Sequence, residues 1–200
     1  MAIDLTHECM PKLRKPTEDG IRRFLARQAV ADFSYRELQC TRDTAPAGWY
    51  CDRYRGHLGN GTDTFARARK AVVAWSMFRL GWVEAHPAAS AITPGANVAV
   101  LVRACGAWWL NGARIVYVHD SPSDDRQFGF AYGTLQDHAE CGEERFWVVR
   151  DHDDQVWFEL TAMSNPAKWF VRAALPLVRR LQRCFAADAQ RAMQRAVGGA

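Results

Sequence analysis

Two hundred residues suffice for one domain with a full hydrophobic core, and 48% apolar with 24% charged residues is the balance of an ordinary globule. The net charge of +4 rests on arginine except at Lys12, Lys15, Lys70 and Lys168 and lacks the clustering of a polyanion binder, so nucleic acid is not an expected partner. No stretch reaches the ~18 apolar residues of a membrane span. Met1–Lys15 has no apolar signal core, which makes the cytoplasm the expected location and, given the arginine bias of GC-rich genomes, a bacterium the expected source.

Residues 1–20 are polar, carry Pro11 and Pro16, and are expected to form a loose arm before a single α+β domain over 21–200. Ile21, Phe24, Leu25 and Val30 recur at helical spacing, predicting a short helix within Ile21–Ala31. Pro46 and Gly48 mark a loop, Tyr50–Leu58 reads as a strand, and Gly59-Asn60-Gly61 ends it. A helix follows, with Thr62 or Thr64 as its N-cap and Phe65, Ala68, Val72 and Trp75 on one face; it ends before Gly81.

After a connector from Pro87 to Pro94, six strands are predicted in succession: Asn97–Ala104, Ala107–Leu110, Arg114–Asp120, Arg126–Leu135, Glu143–Arg150 and Val156–Met163. Asn111-Gly112 reads as a hairpin turn, and Ser121–Asp125 and Asp151–Asp154 as further turns. The closing helix is predicted to run from Asn165 or Pro176 to Ala196. Asn165 and Pro166 start a first segment, Pro176 breaks it, and Leu177, Leu181, Phe185 and Met193 share or border one face of the rest. A curled meander with one helix across it is therefore the expected architecture: a curved antiparallel sheet wrapped on a long C-terminal helix, leaving a concavity between them.

Seven of the eight tryptophans lie between Trp75 and Trp169, so the aromatic mass belongs to that body. Phe128, Phe130, Tyr132 and Thr134 share one face of their strand, and Gly129, Ala131 and Gly133 the other, where another element can approach closely. The aromatic face lines either a core or a hollow. Polar residues in phase with apolar neighbours mark where a hollow has binding groups: Tyr117 and His119 after Ile115, Glu144 with Phe146 and Val148, Glu159 beside Trp157. The opposite phase of the last strand puts Val156, Phe158 and Leu160 inside, and alternation favours it. Of the adjacent Trp108 and Trp109, one at most faces a pocket. The candidate ligand-binding set is Trp108, Tyr117, His119, Phe128, Phe130, Tyr132, Thr134, Glu144, Trp157 and Glu159.

No catalytic residue can be assigned, because the chain has no GxSxG, HExxH, P-loop or GxGxxG. The six cysteines are widely spaced with no CxxC, and the six histidines lack ligand spacing, so free thiols, no metal and no cofactor are expected. The arginines of the last helix read as a solvated face.

The string Phe128-Gly-Phe-Ala-Tyr-Gly-Thr-Leu135, with His138 and Gly142-Glu-Glu-Arg-Phe146, resembles the signature of uncharacterised protein family 0548, the domain of unknown function nineteen-ninety. Leu58-Gly-Asn-Gly61 with Phe65, Trp75-Ser-Met-Phe-Arg-Leu-Gly-Trp82, Trp108-Trp-Leu-Asn111 and Pro176-Leu-Val-Arg-Arg-Leu-Gln182 extend the resemblance over about 33–195. The chain departs from the pattern at Gln136-Asp137, where Pro-Gly is expected, and at Ser164-Asn165-Pro166, where Ser-Arg-Pro is expected. The resemblance implies a START/Bet v 1-type helix-grip fold, whose members mostly bind apolar ligands and in a minority are cyclases or hydrolases. Three functions remain open. The first is binding of an apolar or aromatic small molecule. The second is a cyclase or dehydratase drawing acid and base from Glu144, Glu159, Tyr132, His119 and His138, with Cys105 and Cys51 a weaker nucleophilic variant. The third is a ligand-free interaction module. The oligomeric state is expected to be monomer or homodimer.

Overall fold

The structure is a computed structural model and describes residues 11–42, 44–87, 91–121, 125–165 and 172–198. Thr17 caps the first helix, α1 (Glu18–Gln28), by accepting from Gly20 N at 3.2 Å, so the helix starts three residues before the apolar spacing suggests. Strand β1 (Tyr50–Asn60) leads to α2 (Thr62–Val73). The N-cap of α2 is Gly61 at φ +86°, not a threonine. The Thr62 hydroxyl instead accepts from Arg150, and that of Thr64 from Arg67.

Trp75, left-handed at φ +55°, turns the chain into a short 3-10 segment, Ser76–Phe78, and then β2 (Val83–Pro87), a strand the sequence does not predict and of which only Pro87 falls in the expected connector. The strands β3 (Asn97–Ala104), β4 (Ala107–His119), β5 (Gln127–Thr134), β6 (Gly142–Arg150) and β7 (Gln155–Ser164) complete the meander. The chain closes with α3 (Leu175–Gly198), which has Pro176 in its first turn, where a proline costs no hydrogen bond. The segment expected to begin at Pro166 lies outside the described residues. Among them no helix is long and apolar enough to cross a membrane.

The seven strands form one curved antiparallel sheet in the order β1-β7-β6-β5-β4-β3-β2. Two local features correct the predicted register. Asn111-Gly112 is not a turn, because β4 runs through it as one long strand. The two-residue hairpin is Cys105-Gly106, whose φ values of +52° and +76° give the positive pair that such a turn requires. In addition, β4 bulges between Ile115 and Tyr117 against β5. One extra residue there exchanges the faces of everything beyond it.

On the inner face, α2 and α3 cover the sheet. Phe65, Val72, Trp75, Phe78, Phe185 and Met193 pack on Phe130, Phe146, Val148, Phe158 and Leu160 in the main core. The outer face has a cover of its own. Ile21 and Phe24 of α1 pack on Ala99, Leu101 and Leu110, while Tyr35 and Cys40 pack on Cys141 and Met163. Within the stretch expected to be a loose arm, Lys12 pairs with Trp108 and Lys15 Nζ contacts Glu84 at 2.6 Å. The small residues of β5 serve this cover: a Cβ on Gly133 would sit 2.2 Å from Tyr35 Oη and 2.9 Å from its ring carbons. Gly133→Ala is therefore expected to destabilise the protein by about 2 kcal/mol, measured by urea unfolding, because the buried ring has nowhere to move.

Candidate functional site

Where α3 lifts from the sheet near its first turns, a cavity of about 250 Å3 remains between them. The sheet contributes Val100, Val102, Trp109, Tyr132, Glu144 and Ala162; α3 contributes Leu177, Val178, Leu181, Gln182 and Phe185. Phe78, Trp82 and Val83 close one side, and the loop from His138 to Cys141 closes another. The wall is apolar apart from a few groups. Trp82 is fixed to α3 by donating from Nε1 to Asp188 Oδ2 at 2.9 Å. Asn111 holds the loop, accepting from Ala139 N at 3.0 Å while its amide donates to Val100 O at 3.3 Å. Cys105 and Cys141 also reach the wall. Asp137 accepts from Gln28 Nε2 at 2.7 Å and so ties α1 to the same loop.

Two carboxyl groups line this apolar space. Glu144 lies opposite Tyr132 in the β5–β6 register and accepts from its hydroxyl at Oε2. Its Oε1 has no hydrogen-bond partner among the described residues. Burial in the apolar wall pushes the Glu144 carboxyl up to about 7. The Tyr132 hydrogen bond partly offsets this, and the neighbouring Glu140 charge raises it further. Glu140 accepts from Gln182 Nε2 at 2.5 Å. Its own pKa is raised by burial, against the pull of Gln182 and Arg179 and with a push from Asp52. Arg179 does not reach into the cavity, because it is paired with Asp52 on β1, Nη2 to Oδ1 at 2.6 Å. Burial and the Glu144 charge drive the Tyr132 phenol well above its ordinary value, so it acts as a donor. His138 accepts the Glu140 N–H at Nδ1, 3.0 Å, which places its proton on Nε2 when the ring is neutral.

Of the ten candidate residues, the structure brings Tyr132, Thr134 and Glu144 to the cavity wall. The Thr134 hydroxyl is engaged with the backbone of Gly142, accepting from its N–H at 2.9 Å. Phe128 and Phe130 share that face but are spent in the core, Phe130 against Trp75 at 4.8 Å between ring centroids and Phe128 under Arg69 at 4.7 Å.

The other five lie on the outer face. Trp108 does so because α1 covers the sheet there, so its neighbour Trp109 faces the cavity. The β4 bulge turns Tyr117 and His119 outward, away from Ile115. Tyr117 bonds Thr41 at 2.8 Å, and His119 stacks on Trp147 with centroids 5.0 Å apart. Val156, Phe158 and Leu160 take the core, so Trp157 and Glu159 point out. Arg55 lies 4.1 Å over the Trp157 ring and pairs with Glu159 at 3.1 Å. Sequence reasoning missed Trp109, Trp82, Gln182 and Glu140. The phase of Trp109 follows once Asn111 is read as strand, whereas Glu140 sits in a loop without any period. Among the described residues no three His, Cys, Asp or Glu side chains converge as a metal cage.

Residues 34–192 match a family described as a domain of unknown function, DUF1990. A UPF0548 protein of Deinococcus radiodurans is 38% identical over 199 residues, covering 93% of this chain and 98% of its own. A UPF0548 protein of Dictyostelium discoideum is 33% identical over 204 residues, covering 92% and 94%. Such chains therefore occur in eukaryotes as well as bacteria. Among solved structures, the Zhui aromatase/cyclase from Streptomyces sp. R1128 aligns with a TM-score of 0.52 at 8% identity, covering 75% of this chain and 94% of that one. That likeness is one of fold, the START/Bet v 1-like helix-grip arrangement of curved sheet and C-terminal helix.

Proposed function

The chain belongs to the DUF1990 (UPF0548) family, and from the space that its helix-grip fold leaves under α3 we propose that it binds an apolar or aromatic small molecule there. The observation that carries this reading is a cavity of about 250 Å3 with an apolar wall, two tryptophans and a few convergent polar groups. A cavity of about 150 Å3 lined by apolar side chains admits benzene, so this one has room for a substituted or fused ring. Trp82 and Trp109 give the ligand flat surfaces, and Tyr132 with Glu144 supplies the polar anchor.

Native mass spectrometry of freshly purified protein is expected to show a small adduct that disappears on denaturation. Ala162→Phe, which puts a ring in the middle of the space, is expected to retain the fold and lose the adduct. A clean apo mass, with no change in tryptophan fluorescence across a panel of lipids and aromatics, would overturn the reading.

A catalytic reading is favoured by one observation, the Glu144 carboxyl held near neutrality beside the Tyr132 donor on the cavity wall. A group poised there can donate and withdraw a proton at physiological pH, as a cyclase or dehydratase requires. The activity in the name of the similar aromatase/cyclase lends it little, because fold alone does not carry chemistry. A captured ligand whose mass changes on incubation, and stays fixed in Glu144→Gln, is the result that reading expects.

A further inference from the structure

The cavity has a sign. Its ionisable groups are Glu140 and Glu144 with Tyr132, His138, Cys105 and Cys141; Glu143 also borders it, with its carboxyl engaged on the outer face by Tyr35, Gln39 and Thr41, and among the described residues no lysine or arginine lines it. Arg179 on α3, whose charge is felt by Glu140, is already paired with Asp52 on β1. From β1, Tyr54 lies near Glu144 and feels its charge, but it too is an acid. Two carboxyl groups in one apolar space raise each other's cost of ionisation, and a single cation between them removes that cost. Glu144 Oε1 lies on the wall without a hydrogen-bond partner in the described structure, so a ligand donor has an acceptor waiting. An anion would meet the opposite situation, since among the described residues no cationic side chain on the wall compensates a negative charge.

We propose that the ligand of this cavity is an apolar molecule with a basic nitrogen, bound as its cation with the nitrogen between Glu144 and Glu140 and the hydrophobic body against Trp82, Trp109 and Leu181. The inference rests on the ligand-binding reading above and gives it a chemical class. Fatty acids, aromatic carboxylates and phosphate esters are then excluded by charge. Because Glu144 is partly protonated near neutrality, taking up the cation releases a proton. Affinity therefore rises as the pH passes upward through about 7 and levels off while the amine itself remains charged.

The test uses one hydrophobic body with three head groups: 4-phenylbutylamine, 4-phenylbutanol and 4-phenylbutyrate, titrated against the full chain by tryptophan fluorescence. At pH 8 the amine is expected to bind at least tenfold tighter than the alcohol, and the carboxylate at least tenfold weaker than the alcohol. The preference for the amine is expected to shrink at pH 6 and to disappear in Glu144→Gln, with Glu140→Gln as a second variant should the first fold poorly. An alcohol or carboxylate that binds as tightly as the amine overturns the charge assignment and leaves the pocket reading standing. So does an amine preference that survives both substitutions. If none of the three binds, both readings fall.

Discussion

Glu144→Gln is expected to make the protein more stable at pH 8, by about 2 kcal/mol, and to change nothing near pH 4.5. The carboxyl has an ordinary value of 4.5, and burial in the cavity wall lifts it to about 7. Between those values the folded protein binds more protons at this site than the unfolded chain does, so stability falls as pH rises through the window and stays low above it. At 1.36 kcal/mol per unit the full penalty is about 3 kcal/mol, and access of water to the cavity reduces it to about 2 kcal/mol. Glutamine keeps the shape, still accepts the Tyr132 hydroxyl, and never ionises. Urea midpoints of wild type and variant at pH 4.5, 6 and 8 check this, with the gap expected to open only in the upper two. A variant less stable than wild type at pH 8 would mean that the carboxylate is held in its charged form by a partner, and the account of the cavity's electrostatics would fail. Such destabilisation is what a ligand site tolerates, because a bound cation recovers it.

How far the sequence leads is uneven, and the reasons are local. Strand after strand, the alternation of Phe128, Phe130 and Tyr132, of Glu144, Phe146 and Val148, and of Val156, Phe158 and Leu160 gives the correct inner face, because a sheet covered on one side by α2 and α3 tolerates no other phase. The same rule fails at Tyr117 and His119, since a bulge at Val116 is invisible to period-2 counting. It fails at Trp108 because the outer face is covered too, by a helix that pairs with no strand and leaves no pattern in the strands it shields beyond a few buried aliphatics such as Leu101 and Leu110. Asn111-Gly112 has the composition of a turn, but Cys105-Gly106 takes the positive φ pair, and Asn111 spends its side chain on the loop that carries Glu140. Strand β2 escapes because it ends in a proline, permissible only at an edge, which is where it lies. The cavity's second carboxyl was not legible at all. A loop residue has no phase, and only the fold brings Glu140 within reach of Glu144.

The neighbouring carboxyl group should respond in the opposite sense. Glu143→Gln is expected to cost about 3 kcal/mol or more, although it is the same chemical change one residue away. Alternation along β6 turns Glu143 to the outer face, where it is buried beneath residues 35–41. Its Oε2 accepts from Tyr35 Oη at 2.8 Å and from Gln39 N at 2.8 Å; its Oε1 accepts from Thr41 N at 3.0 Å and from the Thr41 hydroxyl. Hydroxyls can rotate to suit an amide, but backbone N–H groups cannot, and here one faces each oxygen. Whichever way a glutamine is turned, its NH2 meets a backbone donor. One side of the site then loses its charge-assisted bonds and leaves a buried N–H unpaired, each loss worth about 1–3 kcal/mol. The 35–41 part of the outer cover hangs on this carboxylate, since Thr41 also holds the Tyr117 hydroxyl at 2.8 Å and its carbonyl accepts from Arg145 at 3.2 Å. Urea unfolding at pH 8 should therefore order the three proteins as Glu144→Gln above wild type above Glu143→Gln. Ligand binding by the surviving folded fraction should be untouched in Glu143→Gln, because its carboxyl points away from the cavity. Equal midpoints for the two variants would show that the two faces of β6 do not divide the work in this way.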